Sequence, residues 1–250
     1  MIGLLKRLHK LLKKYGFNIS LGIFSFNFLY RIVRTGLTDL LKKEVNKGDV
    51  FIDIGANIGY YSIVASKLVG KNGKIFAFEP DLINYKKLIK NLKRNRCNNI
   101  IPLNVAVSDK ESKIKLFISE DNASDHRTYG IEGRKSVSIK SISLDDYFSK
   151  NNVTKVDFIK IDVQGYEPVV FKGMVKTLKN NRNIKIITEF WPFGLKSAGY
   201  DALKYLQDFS ELGFKFFLVK ERSKFAREIS INEAMKLCPK KKSIDILCKR

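Results

Sequence analysis

The chain has 250 residues, 44% of them hydrophobic, and a formal net charge of +22 at pH 7. This length supports one sizeable core and a small accessory segment, and the charge favours anionic partners unless the scattered lysines are compositional drift. Three cysteines without CxxC spacing suggest neither a disulfide framework nor a zinc site, and two histidines exclude a histidine-rich metal site, so a reducing, cytoplasmic compartment fits best.

The first 45 residues are predicted to form a basic helical extension. Residues 1–16 read MIGLLKRLHKLLKKYG, with apolar residues at helical spacing and Lys and Arg on the opposite face. The uncharged run from Phe17 to Tyr30 is shorter than the roughly 20 residues that span a bilayer, and no small-residue cleavage site follows it. Two interpretations remain: a helical cap on the following domain, or an interfacial segment at residues 1–34 that contacts anionic membrane.

From Lys47 onward, short β-branched runs alternate with helical patterns, which predicts a mostly parallel sheet covered by helices on both faces. The predicted strands are 49–54, 73–79, 100–106, 156–162 and 184–190. The predicted helices are 59–70, 81–95, 164–180 and 199–212. The last two segments, 214–220 and 243–249, are expected to form a closing strand pair.

Residues 112–144 interrupt this alternation. SKIKLFIS and KSVSIKSISL are typical of extra strands, and the polar loop EDNASDHRTYGIEGR lies between them. Long loops inside compact domains are usually lids or binding loops. Because the chain has no internal repeat and no Pro- or Gly-rich linker, we expect one domain at 46–250 after the extension at 1–45.

The stretch VFIDIGANIGY at 50–60 indicates a cofactor site. A buried strand ends in Asp-x-Gly and opens into a helix, and open parallel sheets bind ligands at the carboxyl ends of their strands. Gly55 and Gly59 let the backbone approach a ligand, and the helix N–H groups favour a carboxylate or phosphate. Asp53 is a poor neighbour for pyrophosphate and a good one for the ammonium group of an amino acid.

This contrast favours S-adenosylmethionine over a dinucleotide. The G-A-N-I-G run lacks the middle glycine of G-x-G-x-x-G, which admits the pyrophosphate. Glu79 ends the second predicted strand, where a carboxylate can accept hydrogen bonds from both ribose hydroxyls. Because NAD proteins share that feature, Glu79 supports a cofactor that contains ribose but does not distinguish S-adenosylmethionine from NAD.

Six blocks occur in order between roughly residues 45 and 220. They are VFIDIGANIGYYS, FAFEPDLINYKKLIKNLKRN, NVAVSD, DNASDHR, SISLDDYF and VDFIKIDVQGYEPVVFKG. Together they resemble the FkbM-type methyltransferases, a branch of the Rossmann-like SAM-dependent enzymes. The resemblance implies a seven-stranded sheet with an antiparallel last strand, and O-methylation, often of a sugar hydroxyl in a glycan, glycolipid or natural product. Two positions depart from the family: Gln164, where it often has glutamate, and Ala123, where it often has glycine.

The resemblance also implies roles for individual residues at the cofactor. The methionine end would be held by Asp53, Gly55, Asn57 and Gly59. The ribose would be held by Glu79, and the adenine would be lined by Asn104 to Ala106 at the tip of the third strand.

Methyl transfer to a hydroxyl needs positioning and removal of the hydroxyl proton. Asp162, at the carboxyl end of the fourth strand, is the first candidate for the base or substrate anchor, with helix N-capping as its structural alternative. Glu167 is the next candidate, and a contact with the helix dipole is its alternative. Lys160 points to the same face of the strand as Asp162, and Glu189 near the end of the fifth strand could face them.

His126 lies in the long loop, where its ordinary pKa suits a general base, although a lone loop histidine is more often simply solvated. Asn122, Asp125 and Arg127 in the same loop are candidate sugar or anion contacts. A hard divalent cation between Asp162 and Glu189 is compatible with their ligand type, although the sequence does not establish it.

Two other functions stay open beside a cytoplasmic SAM-dependent O-methyltransferase that acts on a sugar hydroxyl. An RNA 2′-O-methyltransferase fits the charge, and Lys160, Asp162 and Glu189 resemble part of the Lys-Asp-Lys-Glu set of those enzymes, but a second lysine cannot be assigned. Nucleic acid is therefore the less favoured partner. A non-catalytic module that binds a protein or membrane is opposed by the intact acidic positions 53, 79 and 162.

Overall fold

The computed structural model describes residues 36–120, 122–219 and 226–250, which contain two β-sheets and the helices that cover them. The strands are β1 Val50–Ile54, β2 Lys74–Phe78, β3 Ile100–Leu103, β4 Ala106–Val107, β5 Ser112–Phe117, β6 Ser136–Ile142, β7 Phe158–Ile161, β8 Lys185–Phe190, β9 Lys215–Val219, β10 Ala226–Ile229 and β11 Ile244–Lys249. The helices are α1 Leu37–Glu44, α2 Tyr60–Val69, α3 Leu82–Arg94, α4 Leu144–Lys150, α5 Glu167–Lys172, α6 Val175–Asn180, α7 Pro192–Ser197, α8 Ala202–Glu211 and α9 Ile231–Leu237.

The main sheet has eight strands in the order β10-β9-β11-β8-β7-β1-β2-β3. The run from β8 to β3 is parallel, and β11 is antiparallel to both of its neighbours. This confirms a Rossmann-like, mostly parallel sheet with an antiparallel last strand. The strand count is eight instead of seven, because β10 pairs with β9 at the edge of the sheet.

Alternate residues of the central strands face two separate cores. Ile52 and Ile54 of β1 belong to one buried cluster, and Phe51 belongs to the other. Phe51 stacks on Phe158 of β7, with ring centroids 5.1 Å apart. A strand that is buried on both faces has a continuous run of apolar residues, and for this reason the sequence VFIDI clearly predicted a strand. Its single charged residue, Asp53, is completely buried.

The predicted third strand, 100–106, is interrupted at Asn104. The Asn104 side chain donates to the carbonyl oxygens of Glu79 and Pro80, at 2.9 and 3.0 Å, and the chain leaves the main sheet there. Residues 106–107 then form β4, which joins a second sheet in the order β4-β6-β5. The two strands expected within residues 112–144 are β5 and β6 of this sheet.

The predicted helix at 164–180 is two helices, and it begins later. Gln164 and Gly165 have φ angles of 56° and 104°, which a helix does not accept, so α5 starts at Glu167. At the break, the Gly173 carbonyl oxygen accepts from the Asp145 N–H at 2.9 Å, and the backbone packs so closely that a Cβ on Gly173 would lie 1.8 Å from the Ser108 carbonyl oxygen. Neither feature is visible in local periodicity.

The helix expected within residues 1–34 lies outside the described residues. The final part of the predicted extension is α1, whose Leu37, Leu40 and Leu41 are buried in the same cluster as Phe51. Glu44 at its end forms an ion pair with Lys185 of β8, at 2.9 Å. Among the described residues, no helix combines the length and apolar character needed to cross a bilayer. The domain boundary at residue 45 stays a prediction.

The ends of β1 and β7 approach each other so closely that only glycine fits at position 55. A Cβ there would lie 2.1 Å from the Asp162 carbonyl oxygen, and the φ angle is +76°. We expect Gly55→Ala to lower the free energy of unfolding by about 3 kcal/mol or more, because overlap adds to the cost of the left-handed backbone.

Gly133→Ala is the matched control, since Gly133 has a φ of +77° and nothing lies within 4 Å of the place that a Cβ would occupy. It should cost about 1 to 2 kcal/mol, the backbone contribution alone. Urea denaturation of both variants measures the difference, and equal losses would contradict the close approach.

Candidate active site

A cleft opens at the carboxyl ends of β1, β2 and β7, where the chain order of the sheet reverses. Seven of the predicted site residues line it: Gly55, Asn57, Glu79, Ala106, His126, Lys160 and Asp162. The others contact residues of the cleft lining: Asp53, Gly59, Asn104, Glu167 and Glu189. The sequence prediction therefore identified one contiguous region, and the functional role of each residue stays a prediction.

The two glycines of the β1–α2 turn are required by contacts within the protein. Gly55 faces the end of β7, and a Cβ on Gly59 would lie 2.3 Å from Leu88 Cδ1 of α3. The turn is further fixed because the N–H groups of Gly55 and Ala56 both donate to the Phe78 carbonyl oxygen. These contacts hold the N-terminus of α2 at the cleft.

Glu79 is buried at the end of β2, and its carboxylate is held by two backbone N–H groups. Oε2 accepts from Asn57 at 2.7 Å, and Oε1 accepts from Asp81 at 2.9 Å. Burial raises the pKa of Glu79 to about 8, although both hydrogen bonds oppose that shift. Each oxygen keeps a lone pair that can accept from a ligand hydroxyl.

The long loop of the insertion forms one wall of this cleft. The Ala123 carbonyl oxygen accepts from the side-chain amides of Asn57 and Asn84, at 3.0 and 2.9 Å. Because the contact uses a backbone atom, alanine in place of the family's frequent glycine leaves it intact. Ser124, His126 and Thr128 follow along the same wall.

His126 is a neutral imidazole in this setting. Its Nδ1 accepts from the Ser119 N–H at 3.1 Å, so the ring hydrogen is on Nε2, which lies 4.0 Å from Asp81 Oδ1. Burial lowers the pKa of His126, while Asp81 opposes that shift. With its lone pair occupied, His126 is better suited to donate a hydrogen bond at the Glu79 end of the cleft than to accept a proton.

Of the other candidate contacts in the loop, Asp125 and Arg127 are already engaged with each other, and Asn122 Oδ1 accepts from the Ser124 N–H at 3.1 Å. The Asp125 carboxylate forms ion pairs with Arg127 and Arg134, with N–O distances of 2.8 and 2.6 Å. The Arg127 guanidinium also donates to the Tyr129 hydroxyl at 2.8 Å and lies 4.8 Å from the Trp191 ring centroid. These contacts fasten the loop to the segment after β8.

Two buried polar atoms in the cleft wall indicate that a polar ligand fits here. Asn84 Oδ1 and Thr128 Oγ1 have no hydrogen-bond partner within the described part of the chain. Buried polar groups are almost always paired in native proteins, so such atoms call for a ligand or water. Asn84 lies at the Glu79 end, where the predicted ribose would sit, because it shares the Ala123 carbonyl oxygen with Asn57, whose N–H donates to Glu79.

Lys160 supplies a buried positive charge at the other end of the cleft. Lys160 and Asp53 are directly paired across β7 and β1, with Nζ 3.4 Å from Asp53 Oδ1. The same ammonium group lies 3.8 Å from Asp162 Oδ2 and 5.2 Å from the Tyr61 ring centroid. Asp53 also accepts from Ser62 Oγ at 2.6 Å. The strand register therefore places Lys160 between two carboxylates.

Gln164 joins Asp162 to Glu189. Its amide nitrogen donates to Asp162 Oδ1 at 2.7 Å and to Glu189 Oε2 at 2.6 Å. Ser243 donates to the other Glu189 oxygen at 2.9 Å, and Asp245, opposite Glu189 in the β8–β11 register, lines the cleft. Both carboxylates therefore accept a hydrogen bond from the same amide nitrogen.

Glu167 holds the turn that carries Gln164. Its two carboxylate oxygens accept from the N–H groups of Val163 and Gly165, at 3.1 and 2.9 Å. Burial raises the pKa of Glu167 to about 8, and the charge of the neighbouring Glu189 acts in the same direction. In this position Glu167 supports the turn from behind.

The cation that the ligand types of Asp162 and Glu189 allow has no third protein ligand in the described residues, where no group of three or more His, Cys, Asp or Glu side chains has the geometry of a metal site. The Gln164 amide lies between the two carboxylates in this structure.

A family model described as the methyltransferase FkbM domain matches residues 53–216. This span covers more than half of the chain. The chain belongs to the FkbM methyltransferase family. The resemblance inferred from the six sequence blocks is confirmed.

A curated relative matches part of the same region. The hexuronic acid methyltransferase AglP of Haloferax volcanii is 33% identical over 141 residues, which are 56% of this chain and 56% of the relative. The match therefore spans only slightly more than half the length of that protein.

Two solved structures share the fold at low identity. A candidate rRNA methylase from Clostridium thermocellum has a TM-score of 0.51 at 13% identity, with 85% of this chain and 94% of the other covered. The precorrin-6y C5,15-methyltransferase of Geobacter metallireducens has a TM-score of 0.50 at 14% identity, with 94% of each chain covered. At these identities the likeness shows the fold alone.

Sequence reasoning missed three contributors to the site. Gln164 was noted only as a departure from the family, and the Ala123 carbonyl carries no sequence signal because it is a backbone atom. Asp245 comes from the last strand, and only its register against β8 brings it to the cleft.

Replacing the bridging amide by a carboxylate tests the Gln164 geometry. Gln164→Glu would place a third carboxyl within about 2.7 Å of Asp162 and Glu189. Its folded-state pKa would be raised, so the variant should be close to wild-type stability near pH 4 and lose about 2 kcal/mol or more as the pH rises toward 8.

The matched control is Gln207→Glu, at the exposed glutamine of α8. Chemical denaturation across this pH range measures both variants. A pH-independent loss, or equal curves for the two variants, would show that Gln164 does not join the carboxylates.

Proposed function

We propose that this chain transfers a methyl group from S-adenosylmethionine to a hydroxyl oxygen of a sugar. The observation that carries the proposal is the charged end of the cleft, where Lys160, Asp162 and the Gln164-linked Glu189 come together next to the Gly55 turn. Family membership supports methyl transfer as the reaction class.

The cleft has the donors and acceptors that the proposed cofactor needs. Glu79 would accept from the ribose hydroxyls, and Asn84 Oδ1 provides a further buried polar atom at that end, while Thr128 Oγ1 is another in the cleft wall. Val105 and Ala106 give an apolar wall for the adenine. When bound, the cofactor supplies an electrophilic methyl group.

At the methionine end, Lys160 lines the cleft while Asp53 lies behind it. Lys160 would attract the carboxylate of the amino-acid moiety. The proposed contact of Asp53 with the ammonium group would have to share Oδ1 with Lys160, whose Nζ already lies 3.4 Å from it.

Asp162 is the proposed base for the acceptor hydroxyl. It lines the cleft at the end of β7, and its two oxygens are oriented by Gln164 and Lys160. An ionised Asp162 would accept the hydroxyl proton as the oxygen attacks the methyl group, and Lys160 would stabilise the negative charge that develops. Glu189 and Glu167 act as positioning residues in this scheme.

A sugar acceptor is supported by the relative from Haloferax volcanii, which is named for methylating a hexuronic acid. RNA 2′-O-methylation, the competing activity, needs a second lysine at the reacting end. Lys160 is the one lysine among the described residues that line the cleft.

We further propose a cytoplasmic enzyme whose residues 1–34 contact anionic membrane.

Methyl transfer itself is the direct test. The full chain with S-adenosylmethionine is expected to methylate uronic-acid glycosides in preference to neutral glycosides and to leave RNA unmodified, as measured by mass spectrometry. Methylation of RNA alone would establish the competing activity, and no transfer to any class by a folded, cofactor-binding protein would contradict the sugar acceptor.

Cofactor binding should depend on the ionisation of Glu79. Ribose hydroxyls donate more strongly to the ionised carboxylate, so affinity for S-adenosylhomocysteine should rise with pH toward the pKa of about 8 and then level off. Glu79→Gln should bind at least about tenfold more weakly at pH 8, without this pH dependence.

Titration calorimetry measures both effects, with Glu111→Gln as the control at an exposed glutamate and with NAD as the control ligand. Tight binding of NAD, or an unchanged affinity in Glu79→Gln, would contradict the assignment of the ribose end.

Asp162→Asn separates chemistry from cofactor binding. Loss of a general base should lower kcat by about 100-fold to 10,000-fold, while affinity for S-adenosylhomocysteine changes little. Asp146→Asn, at an exposed aspartate of α4, is the control. If Asp162→Asn keeps full kcat, the base is another residue.

A further inference from the structure

Helix α3 has two faces of different chemistry. Its inner face is buried, with Leu88 against the Gly59 turn and Asn84 at the cleft. The outer face, here called the basic–apolar face, is exposed and consists of Leu82, Ile83, Lys86, Ile89, Lys90, Lys93 and Arg94. The inner face thus accounts for the packing of the helix, and the outer face has no packing role among the described residues.

The apolar side chains of this face are unusually accessible. Leu82, Ile83 and Ile89 are 52%, 63% and 38% exposed, and they are three of the seven exposed large hydrophobic residues in the described part of the chain. Single exposed leucines are ordinary on protein surfaces, but a cluster on one helix face indicates an interaction site.

The charged side chains of the helix itself are all positive. The helix sequence LINYKKLIKNLKR contains five Lys or Arg residues and no acidic residue. Within the described ranges, none of these five cations forms a salt bridge. By contrast, the exposed Leu203 of α8 neighbours Lys204, which pairs with Asp208 and Glu211. The α3 face therefore attracts an anionic partner and α8 does not.

We propose that the basic–apolar face of α3 docks on an anionic membrane surface. Leu82, Ile83 and Ile89 would enter the boundary between headgroups and acyl chains, and the lysines would pair with lipid phosphates. A nucleic acid would satisfy the lysines but leave the aliphatic side chains against water and phosphate. The combination of both side-chain types on one face favours the lipid surface.

The placement of α3 links this surface to the cleft. Glu79 and Pro80, just before the helix, and Asn84, in its first turn, line the cleft. Docking would therefore hold the cleft close to the lipid headgroups. If the proposed function is correct, an acceptor sugar carried on a lipid could reach the site without leaving the membrane.

Vesicle co-sedimentation of the full chain tests the proposal. Vesicles of equimolar phosphatidylcholine and phosphatidylglycerol are compared with vesicles of phosphatidylcholine alone. The double variant Leu82→Ser/Ile83→Ser should partition about tenfold more weakly to the anionic vesicles. Lys86→Gln/Lys90→Gln should lose a similar factor, because each cation near an anionic surface contributes to binding.

Two double variants on other helices are the matched controls. Leu203→Ser/Met235→Ser removes apolar residues of 38% and 36% exposure, and Lys196→Gln/Lys236→Gln removes two exposed cations elsewhere. Both controls should bind vesicles like the wild type. Since residues 1–34 are present in every variant, a loss confined to the α3 variants belongs to α3.

Three outcomes would overturn the proposal. Equal vesicle binding by the α3 variants and their controls would remove α3 from the membrane contact. A melting temperature of Leu82→Ser/Ile83→Ser that falls well below that of the control Leu203→Ser/Met235→Ser would show that the face is covered by protein, because loss of helix propensity alone affects both variants. Binding of a short RNA that the lysine variant loses and the apolar variant keeps, without vesicle binding, would make it a nucleic-acid surface. Binding of S-adenosylhomocysteine, measured in parallel, reports on the proposed function separately.

Discussion

A lysine and an aspartate that are buried opposite each other on two central strands constrain this molecule most strongly. Asp53 of β1 and Lys160 of β7 are register partners, and their exposed fractions are 0% and 3%. Either charge alone would cost several kcal/mol in this core, so each requires the other. A slip of one residue would turn Lys160 into the opposite, apolar core. The register of β1 and β7 is thus tied to a charge pair, and that register places Gly55 against Asp162 at the cleft.

The fold was predictable wherever burial on both faces gives a strand a continuous apolar run. The five parallel strands were found in this way, with ends shifted by a few residues. The edge strand β10, Ala226–Ile229, was missed because it is mostly exposed and has no such pattern. The division of the helix at 164–180 was missed because the contacts of Gly173 with Asp145 and Ser108 join distant parts of the chain.

The site was predictable in its location and less so in its contacts. Parallel strands bring their carboxyl ends to one edge, so the motif residues at the ends of β1, β2 and β7 had to meet. The reason for the glycines was only partly foreseen, since Gly55 and Gly59 face other parts of the protein. The bridge by Gln164 depends on a left-handed backbone at that residue, which Glu167 holds through the flanking N–H groups. Strain of this kind is typical of functional turns, and a sequence pattern does not reveal it.

The distribution of charge separates the role of the cleft from the role of the surface. Among the described residues that line the cleft, the acidic ones are Glu79, Asp162 and Asp245, and Lys160 is the only cation. The net charge of +22 therefore does not arise there, and a nucleic-acid backbone would meet carboxylates at the reacting end. The positive excess lies outside the cleft. Helix α3 is one such place, and its cations lie beside exposed aliphatic side chains instead of lining a groove. Because a lipid surface can accept both kinds of side chain, we connect this part of the charge with a membrane.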